Sequence, residues 1–335
     1  MERDYWPTDG FKYKNFDFDE KKMEKLNRVL QNEYSNITGI MIVKDGYCIF
    51  EEYYNGIDEK DKKPLASVSK SILSALFGIA LDQGYIESVD TPMYKFFPEY
   101  GIEDENLKKI TLKNILNMTA PFDFKAWDEP LGDFVSSDNW TKYALNLLSS
   151  EKNKERFKYS TIGTHLLAVI LSRAVGIPLR RYANKNLFSK IGMDLIPYYP
   201  MTGFGFDNLF GRYVRGWIHD PQGYSIGGFG INMSLRDMTK FGFLYLNKGN
   251  WNGTQVIPES FIEESFTKEK YDYGYLWWLY NYKEYNAYCA LGIGGQCICV
   301  IPKLDMVVSI SSSFIRDSRN RWMFIRNIIL PMFLE

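Results

Sequence analysis

A serine and a lysine three residues apart, Ser67 and Lys70, form the pattern in this chain with the clearest chemistry. A serine hydroxyl is a weak nucleophile and needs a base within hydrogen-bond reach. If a helix begins near Ser67, both side chains lie on one face of it, and the free amides of its first turn suit an oxyanion. The helix dipole and apolar surroundings would favour a neutral lysine, which can act as a base. The pair therefore predicts nucleophilic catalysis by serine.

The surroundings of this pair distinguish it from a second copy of the same spacing. Ser149 and Lys152 belong to a charged run that is typical of a solvated loop. Residues 67–83 are instead apolar nearly all round, which indicates a buried helix, and Gly84 is placed to end it. A lysine in such a helix costs free energy unless something uses it. On the pattern alone, the alternative is a lysine that extends along the surface to reach water.

A third serine, Ser225, lies within Gly223–Gly227, which matches the GxSxG pattern of a nucleophile elbow. That elbow needs a strand before it, a helix after it, and a histidine later in the chain. The preceding residues do not resemble a strand, and no histidine follows His219. We therefore expect these glycines to form a tight loop.

Two further segments are ambiguous when each is taken alone. Tyr159 stands at the entrance of a predicted helix, where a tyrosine is usually a packing residue. Gly292–Gln296 lies between two predicted strands and lacks the lysine and hydroxyl residue of a phosphate loop. It is either a hairpin turn or a strand edge where the backbone meets a substrate.

Periodicity predicts the elements that would position these residues. Residues 19–34 have helical spacing behind a cap at Asp19. The apolar, β-branched run 37–43, the turn residues 44–46 and the returning run 47–54 predict a hairpin. The middle of the chain is mainly helical, and short strands and a closing amphipathic helix follow after about Tyr273. The predicted helices are Leu112–Met118, Trp140–Leu148, Ile162–Val175 and Leu235–Leu246, and the predicted strands are Tyr275–Tyr280, Tyr285–Leu291, Gln296–Ile301 and Met306–Ser312. This order indicates an α+β fold, an antiparallel sheet flanked by helices with an inserted helical lobe.

Composition argues against several classes of function. The 335 residues have a formal net charge of −1, so nothing points to nucleic acid. No apolar run is long enough to span a membrane, and the charged, aromatic start predicts a cytoplasmic location. Two histidines without ligand spacing disfavour a zinc hydrolase, and no metal or cofactor is expected. The cysteines, which are too sparse for a disulfide framework, should be buried free thiols.

Together and in this order, the segments resemble the β-lactamase-related serine hydrolases. That family includes class C β-lactamases, low-molecular-weight penicillin-binding proteins, related esterases and 6-aminohexanoate-dimer hydrolases. Ser67–Lys70 matches its SxxK motif, and Tyr159 stands where its YxN motif has tyrosine. The resemblance runs from about Trp6 to about Ser313, with further similar stretches at 187–193, 227–242, 273–278 and 292–296.

The resemblance implies a β-lactamase/transpeptidase-like fold and an active site between two lobes. One lobe comprises residues 1–88 and 270–335, and the helical lobe comprises residues 89–269. It also implies that Ser67 attacks a small ester or amide, that Lys70 and Tyr159 share the proton, and that the amides of Ser67 and Gln296 hold the oxyanion. Which of Lys70 and Tyr159 is the base stays open, because such a pair titrates as a unit.

Three positions of the family's substrate site are Thr161, Ile293 and Gly295, and two of them depart from the usual residue. Thr161 stands where the family often has asparagine, and Ile293 stands where it has lysine or histidine. Isoleucine cannot bind a substrate carboxylate. This disfavours lactam hydrolysis and peptidoglycan trimming, and some of the aromatic side chains of the nearby strands should line an apolar groove: Tyr275, Trp277 and Tyr285.

Two alternatives to a neutral ester or amide hydrolase remain from the sequence. One is a β-lactamase or D-alanyl carboxypeptidase. The other is a non-catalytic binding or sensor module on the same fold, since a fold does not fix a function.

Overall fold

A computed structural model describes residues 3–125, 127–149, 156–211, 214–315 and 317–334. Most of the second SxxK segment, around Lys152, lies outside these residues. The central element is a seven-stranded sheet in the order β2-β1-β11-β10-β9-β8-β7, in which every neighbouring pair is antiparallel. The strands are β1 (Ile37–Lys44), β2 (Tyr47–Tyr53), β3 (Lys62–Pro64), β4 (Asn232–Ser234), β5 (Asn250–Trp251), β6 (Thr254–Gln255), β7 (Tyr273–Gly274), β8 (Trp277–Tyr282), β9 (Tyr285–Gly292), β10 (Gln296–Ile301) and β11 (Met306–Ser312).

Helices flank the sheet and form the inserted region between β3 and β7. The α-helices are α1 (Glu20–Asn32), α2 (Val68–Asp82), α3 (Leu112–Leu116), α4 (Leu131–Ser136), α5 (Trp140–Asn146), α6 (Thr161–Val175), α7 (Leu179–Asn186), α8 (Phe206–Phe210), α9 (Leu235–Leu246), α10 (Glu259–Ser265) and α11 (Arg321–Phe324). A π-helix, Ile325–Ile329, continues α11, and short 3-10 turns complete the chain.

Both faces of the sheet are covered, because its strands alternate between two apolar cores. On β10, Ile298 and Val300 join the core that contains α2, α6 and α9. Cys297 and Cys299, one residue out of phase, join the opposite core with α1 and the C-terminal helix. A sheet that is apolar on both faces must be sandwiched between helices. The fold class predicted from the sequence, α+β with an antiparallel sheet, is therefore confirmed.

The predicted helices and strands with strong periodicity are confirmed. At some boundaries that differ from the predicted ones, the backbone has a left-handed turn. Asp19 caps α1 through a bond from the Lys22 amide to its carboxylate, and Gly84 follows α2 with a positive φ of 73°. The predicted strand Tyr275–Tyr280 begins later, at Trp277, because Leu276 has φ 61° and forms a turn after β7. Likewise α3 stops before Met118, whose φ is 57°.

One helix assigned to the helical lobe packs on the sheet instead. Helix α9 lies against β1, β10 and β11. A Cβ added at Gly242 of α9 would lie 2.7 Å from both Ile298 and Val307. The sheet and this helix thus approach so closely that only glycine fits at the contact.

The four cysteines are free and buried, as predicted. In the described part of the chain, no single helix is long and apolar enough to cross a membrane. Helix α6 and the segment Leu179–Ile191 meet that test only as a pair, bent by 74°.

Gly242→Ala should lower the free energy of unfolding, by about 1–3 kcal/mol, because the new methyl group overpacks the contact between α9 and the sheet. The matched control is Gly132→Ala in α4, where an added Cβ meets nothing within 4 Å. There the same change should be neutral or stabilising by up to about 1 kcal/mol. Urea denaturation measures both, and an unaffected Gly242→Ala variant would contradict the close packing described here.

Candidate active site

Ser67 occupies the N-cap position of α2 and is partly exposed. The preceding residue, Ala66, has a left-handed φ of 47°, which is uncommon for a residue with a side chain. This turn connects β3 to the helix and presents Ser67 at the helix end. Strained backbone of this kind is often found at functional sites, where the surrounding structure holds it in place.

Lys70 is one helical turn further on and is buried, with 1% of its surface exposed. Its Nζ donates to Ser67 Oγ at 3.0 Å, to Thr161 Oγ1 at 3.2 Å and to the carbonyl of Gly228 at 2.9 Å. The carbonyl of Gly228 reaches Lys70 because the chain passes closely over α6, where an added Cβ would lie 2.4 Å from Thr161 Cγ2. All three partners are neutral, so no described carboxylate hydrogen-bonds to this ammonium.

Burial lowers the pKa of Lys70 to about 7, and the charge of Glu129 opposes this shift. Desolvation disfavours the protonated form, as it does for any lysine without a paired carboxylate. At neutral pH, a substantial fraction of Lys70 is then an uncharged amine that can accept a proton from Ser67.

Tyr159 completes the group around Ser67. Lys70 Nζ lies 4.9 Å from the centre of its ring. Burial raises the pKa of Tyr159, while its hydrogen bond with Ser67 lowers that pKa and the charge of Glu129 raises it. The structure thus brings together the predicted trio of Ser67, Lys70 and Tyr159.

An aromatic wall stands beside Tyr159. The indole of Trp127 stacks on Tyr159 with ring centres 5.6 Å apart, and Trp278 stacks on the same ring, also at 5.6 Å. Trp127 has a left-handed φ of 66° and is 71% exposed. This exposed ring therefore lies on Tyr159, which hydrogen-bonds to Ser67.

The aromatic residues expected from the sequence are not the ones at the site, so that prediction is wrong. Trp277 and Tyr275 point into the core, where Trp277 packs on Tyr245 and Tyr275 donates to Glu264. Tyr285 lies at the far end of β9, beside Lys303. The turn at Leu276 sets the alternation of β8 so that Trp278, not Trp277, faces Tyr159.

The glycine-rich third segment forms the hairpin between β9 and β10 and lies against the residues that precede Ser67. A Cβ added at Gly292 would lie 2.4 Å from the carbonyl of Leu65. The side chain of Gln296 is buried and bonded to the backbone of Ser312, so only its backbone can face a substrate. The carbonyl of Gly295 accepts bonds from Ser312 Oγ at 2.8 Å and from Arg321 Nε at 3.1 Å.

Ile293 occupies the tip of this hairpin and is 59% exposed. Phe314, 61% exposed, lies beside it, since a Cβ added at Gly294 would contact the Phe314 side chain at 2.8 Å. Ile293 and Phe314 therefore form an apolar rim at the tip of the third segment.

Two residues that support the site escaped the sequence analysis. Glu129 accepts three hydrogen bonds at the start of α6, and Arg321 is buried behind the third segment. The partners of Arg321 are the carbonyls of Gly295 and Arg319 and the side chains of Asn36 and Ser312. Neither residue belongs to a recognisable motif, and each is distant in sequence from the segment it contacts.

Ser225, the alternative nucleophile, lacks the strand and the helix that a nucleophile elbow requires. Ser225 is buried in a loop that makes an isolated bridge with His219, with neither a strand before it nor a helix after it. The other histidine, His165, is buried and paired with Asp220 at 3.0 Å. Within the described ranges, no group of three or more histidine, cysteine or acidic residues could hold a metal ion.

Comparison with known proteins gives the family. The sequence profile of the Beta-lactamase family matches residues 37–326, which include Ser67, Tyr159 and the third segment. The chain belongs to the Beta-lactamase family.

Individual relatives of this Beta-lactamase-family protein are distant. The 6-aminohexanoate-dimer hydrolase of Paenarthrobacter ureafaciens is 23% identical over 325 residues, which cover 88% of this chain and 77% of that protein. The octameric penicillin-binding protein homologue of Pyrococcus abyssi superposes with a TM-score of 0.69 at 19% identity, covering 94% of this chain and 77% of that one. A class C β-lactamase from Rhodobacter sphaeroides gives a TM-score of 0.67 at 14% identity, covering 95% of this chain and all of that one. The β-lactamase/transpeptidase-like fold expected from the sequence is confirmed.

Proposed function

We propose that this protein is a serine hydrolase that forms an acyl-enzyme on a small, neutral ester or amide. The observation that carries the proposal is the 3.0 Å hydrogen bond between Lys70 Nζ and Ser67 Oγ, made by a buried lysine without a paired carboxylate. A nucleophile next to an amine that titrates near neutral pH is the arrangement that nucleophilic catalysis requires. Burying this amine costs free energy, and a protein that only binds its ligand would gain nothing in return.

In the first half-reaction, Ser67 Oγ attacks the substrate carbonyl and forms a tetrahedral intermediate. The serine proton passes to the amine of Lys70, either directly or through the Tyr159 hydroxyl. When the intermediate collapses, the bond to the leaving group breaks and the leaving group takes that proton. Water then attacks the acyl-enzyme ester, gives its proton to the same pair, and Ser67 is released with its proton restored.

The proposed oxyanion hole consists of the backbone amides of Ser67 and Gln296. In the described chain, no carbonyl accepts a bond from the Ser67 amide. The close approach of Gly292 to Leu65 brings β10 toward the same helix end. Gly295, Thr161 and Ile293 would then border the substrate, between a lobe formed by residues 1–88 and 270–335 and the helical lobe. The packing of α9 on the sheet argues that the helical lobe ends earlier than residue 269.

The proposed substrate class rests on the rim. Ile293 and Phe314 are exposed and apolar, and Trp127 provides an exposed aromatic surface on the ring of Tyr159. None of them can pair with a carboxylate, so a neutral acyl group fits this rim better than a penicillin or a D-alanyl peptide does. The 6-aminohexanoate-dimer hydrolase similarity is compatible with an amide, but it does not choose between ester and amide.

Lys70→Ala and Tyr159→Phe should each lower kcat/KM for p-nitrophenyl butyrate by roughly 100- to 10,000-fold, because each removes a member of the proton-transfer pair. Circular dichroism should show that both variants are folded. Tyr198→Phe is the matched control, because Tyr198 is exposed on the surface and its loss should leave the rate unchanged. Near-full activity in Tyr159→Phe would remove the tyrosine from the mechanism.

Wild-type protein should hydrolyse p-nitrophenyl butyrate faster than a chromogenic cephalosporin. Ile293→Lys should move the ratio of the two kcat/KM values toward the cephalosporin by roughly tenfold to a hundredfold, the worth of one charge-assisted hydrogen bond. The control is Ile177→Lys, an equally new charge at an exposed isoleucine beyond the far end of α6. A wild-type preference for the cephalosporin would mean that another cation binds the carboxylate.

A further inference from the structure

One carboxylate links three parts of the proposed site without touching Ser67. Glu129 lies on the loop between α3 and α4, two residues after Trp127. Its Oε1 accepts from Ser160 Oγ at 2.8 Å and from the Ile162 amide at 2.7 Å, and its Oε2 accepts from the Thr161 amide at 2.9 Å. These three donors belong to consecutive residues that directly follow Tyr159.

The contacts made by Glu129 fix both neighbours of the Ser67–Lys70 pair. Tyr159 directly precedes the first bonded residue, Ser160, and Thr161 presents its hydroxyl to Lys70 at 3.2 Å. The free amides at the start of a helix are favourable partners for a carboxylate, and α6 is 15 residues long. The same loop places Trp127 on the Tyr159 ring. Loss of these bonds would free Tyr159, Thr161 and Trp127 together.

The charge of Glu129 also acts on the proton-transfer pair. The titratable groups in and around the pair are Lys70 on α2, Tyr159 before α6, Tyr273 of β7, whose ring packs on Tyr159, and Glu129 on its loop. Glu129 is the carboxylate among them. It raises the pKa of Lys70 and the pKa of Tyr159. The charge of Glu129 shifts both pKa values upward, so this effect does not depend on which of the two groups holds the proton.

We propose that Glu129 is the positioning residue of this site, which holds Tyr159 and Thr161 against Ser67 and Lys70 and supplies the counter-charge of the proton-transfer pair. The proposal rests on the proposed function for its catalytic consequence. Its structural consequence, the effect of Glu129 on the titration of the pair, is independent of any substrate.

The two halves of the role can be separated by two substitutions. Glu129→Gln removes the charge, and Glu129→Asp keeps the charge on a side chain too short to keep all three hydrogen bonds. The control is Asp128→Asn, which removes a neighbouring, exposed carboxylate from the same loop. Thermal denaturation by circular dichroism identifies any variant that does not fold.

The first readout needs no substrate. Lysine labelled with ¹³C and ¹⁵N is titrated by NMR, and the Lys70 resonance is assigned by its absence in Lys70→Ala. Glu129→Gln should lower the titration midpoint of Lys70 by roughly half a pH unit or more, because an opposite charge that favoured the protonated form is gone. Asp128→Asn and Glu129→Asp should titrate close to wild type.

The second readout is the pH profile of kcat/KM for p-nitrophenyl butyrate. The pair must lose a proton before it can accept the one from Ser67, so activity should rise with pH through a limb near the Lys70 pKa of about 7. Glu129→Gln should move this limb to lower pH. Glu129→Asp should leave the limb in place and lower the plateau by roughly tenfold to a hundredfold, the cost of a misplaced catalytic group.

Each outcome decides a separate question. If Lys70 titrates identically in wild type and Glu129→Gln, Glu129 is not the counter-charge, whatever happens to the rate. If Glu129→Asp keeps the wild-type plateau, the three hydrogen bonds do not position Tyr159. If Glu129→Gln does not fold, the Glu129→Asp plateau still tests the positioning. If wild-type protein hydrolyses no ester at all, the proposed function fails and the NMR titration still decides the assignment of Glu129.

Discussion

The arrangement depends on a lysine buried without a carboxylate hydrogen-bonded to it. Lys70 is enclosed by a serine hydroxyl, a threonine hydroxyl and a backbone carbonyl, in a helix that is buried over most of its length. A fully charged ammonium would be costly in such surroundings, and burial therefore lowers the pKa of Lys70. The amine is kept close to the point where it can exchange a proton with Ser67. A paired carboxylate at hydrogen-bond distance would stabilise the ammonium and remove this property.

Much of the surrounding fold brings distant chain segments to the end of α2, where Ser67 and Lys70 lie. The turn at Ala66 presents Ser67, the carboxylate of Glu129 holds the start of α6, and Arg321 holds the third segment from behind. Two glycines allow the backbones to meet, Gly228 over α6 and Gly292 against Leu65. The sheet, covered by helices on both faces, supplies the rigid frame for these contacts. Residues that pack the fold closely therefore also hold the proposed site together.

The sequence predicts the parts of this arrangement that local periodicity determines. The apolar helix after Ser67 follows from residue spacing, and strands β10 and β11 follow from short apolar runs bounded by glycine and proline. The resemblance to β-lactamase-related hydrolases supplied Tyr159. The supporting contacts could not be predicted. Glu129 lies about 30 residues before the helix that it binds, and only the folded chain brings them together. The phase of β8 was mispredicted because it depends on the left-handed turn at Leu276, and a leucine gives no signal for such a turn.

The central claim is that Ser67 becomes covalently acylated through its partnership with Lys70. The most direct test is to mix the protein with p-nitrophenyl butyrate, quench with acid on the millisecond to second scale, and map the peptides by mass spectrometry. We predict one butyryl group on the peptide that contains Ser67, formed rapidly in wild type, much more slowly in Lys70→Ala, and absent in Ser67→Ala. A butyryl group on the peptide that contains Ser225, or ester hydrolysis undiminished in Ser67→Ala, would contradict the account.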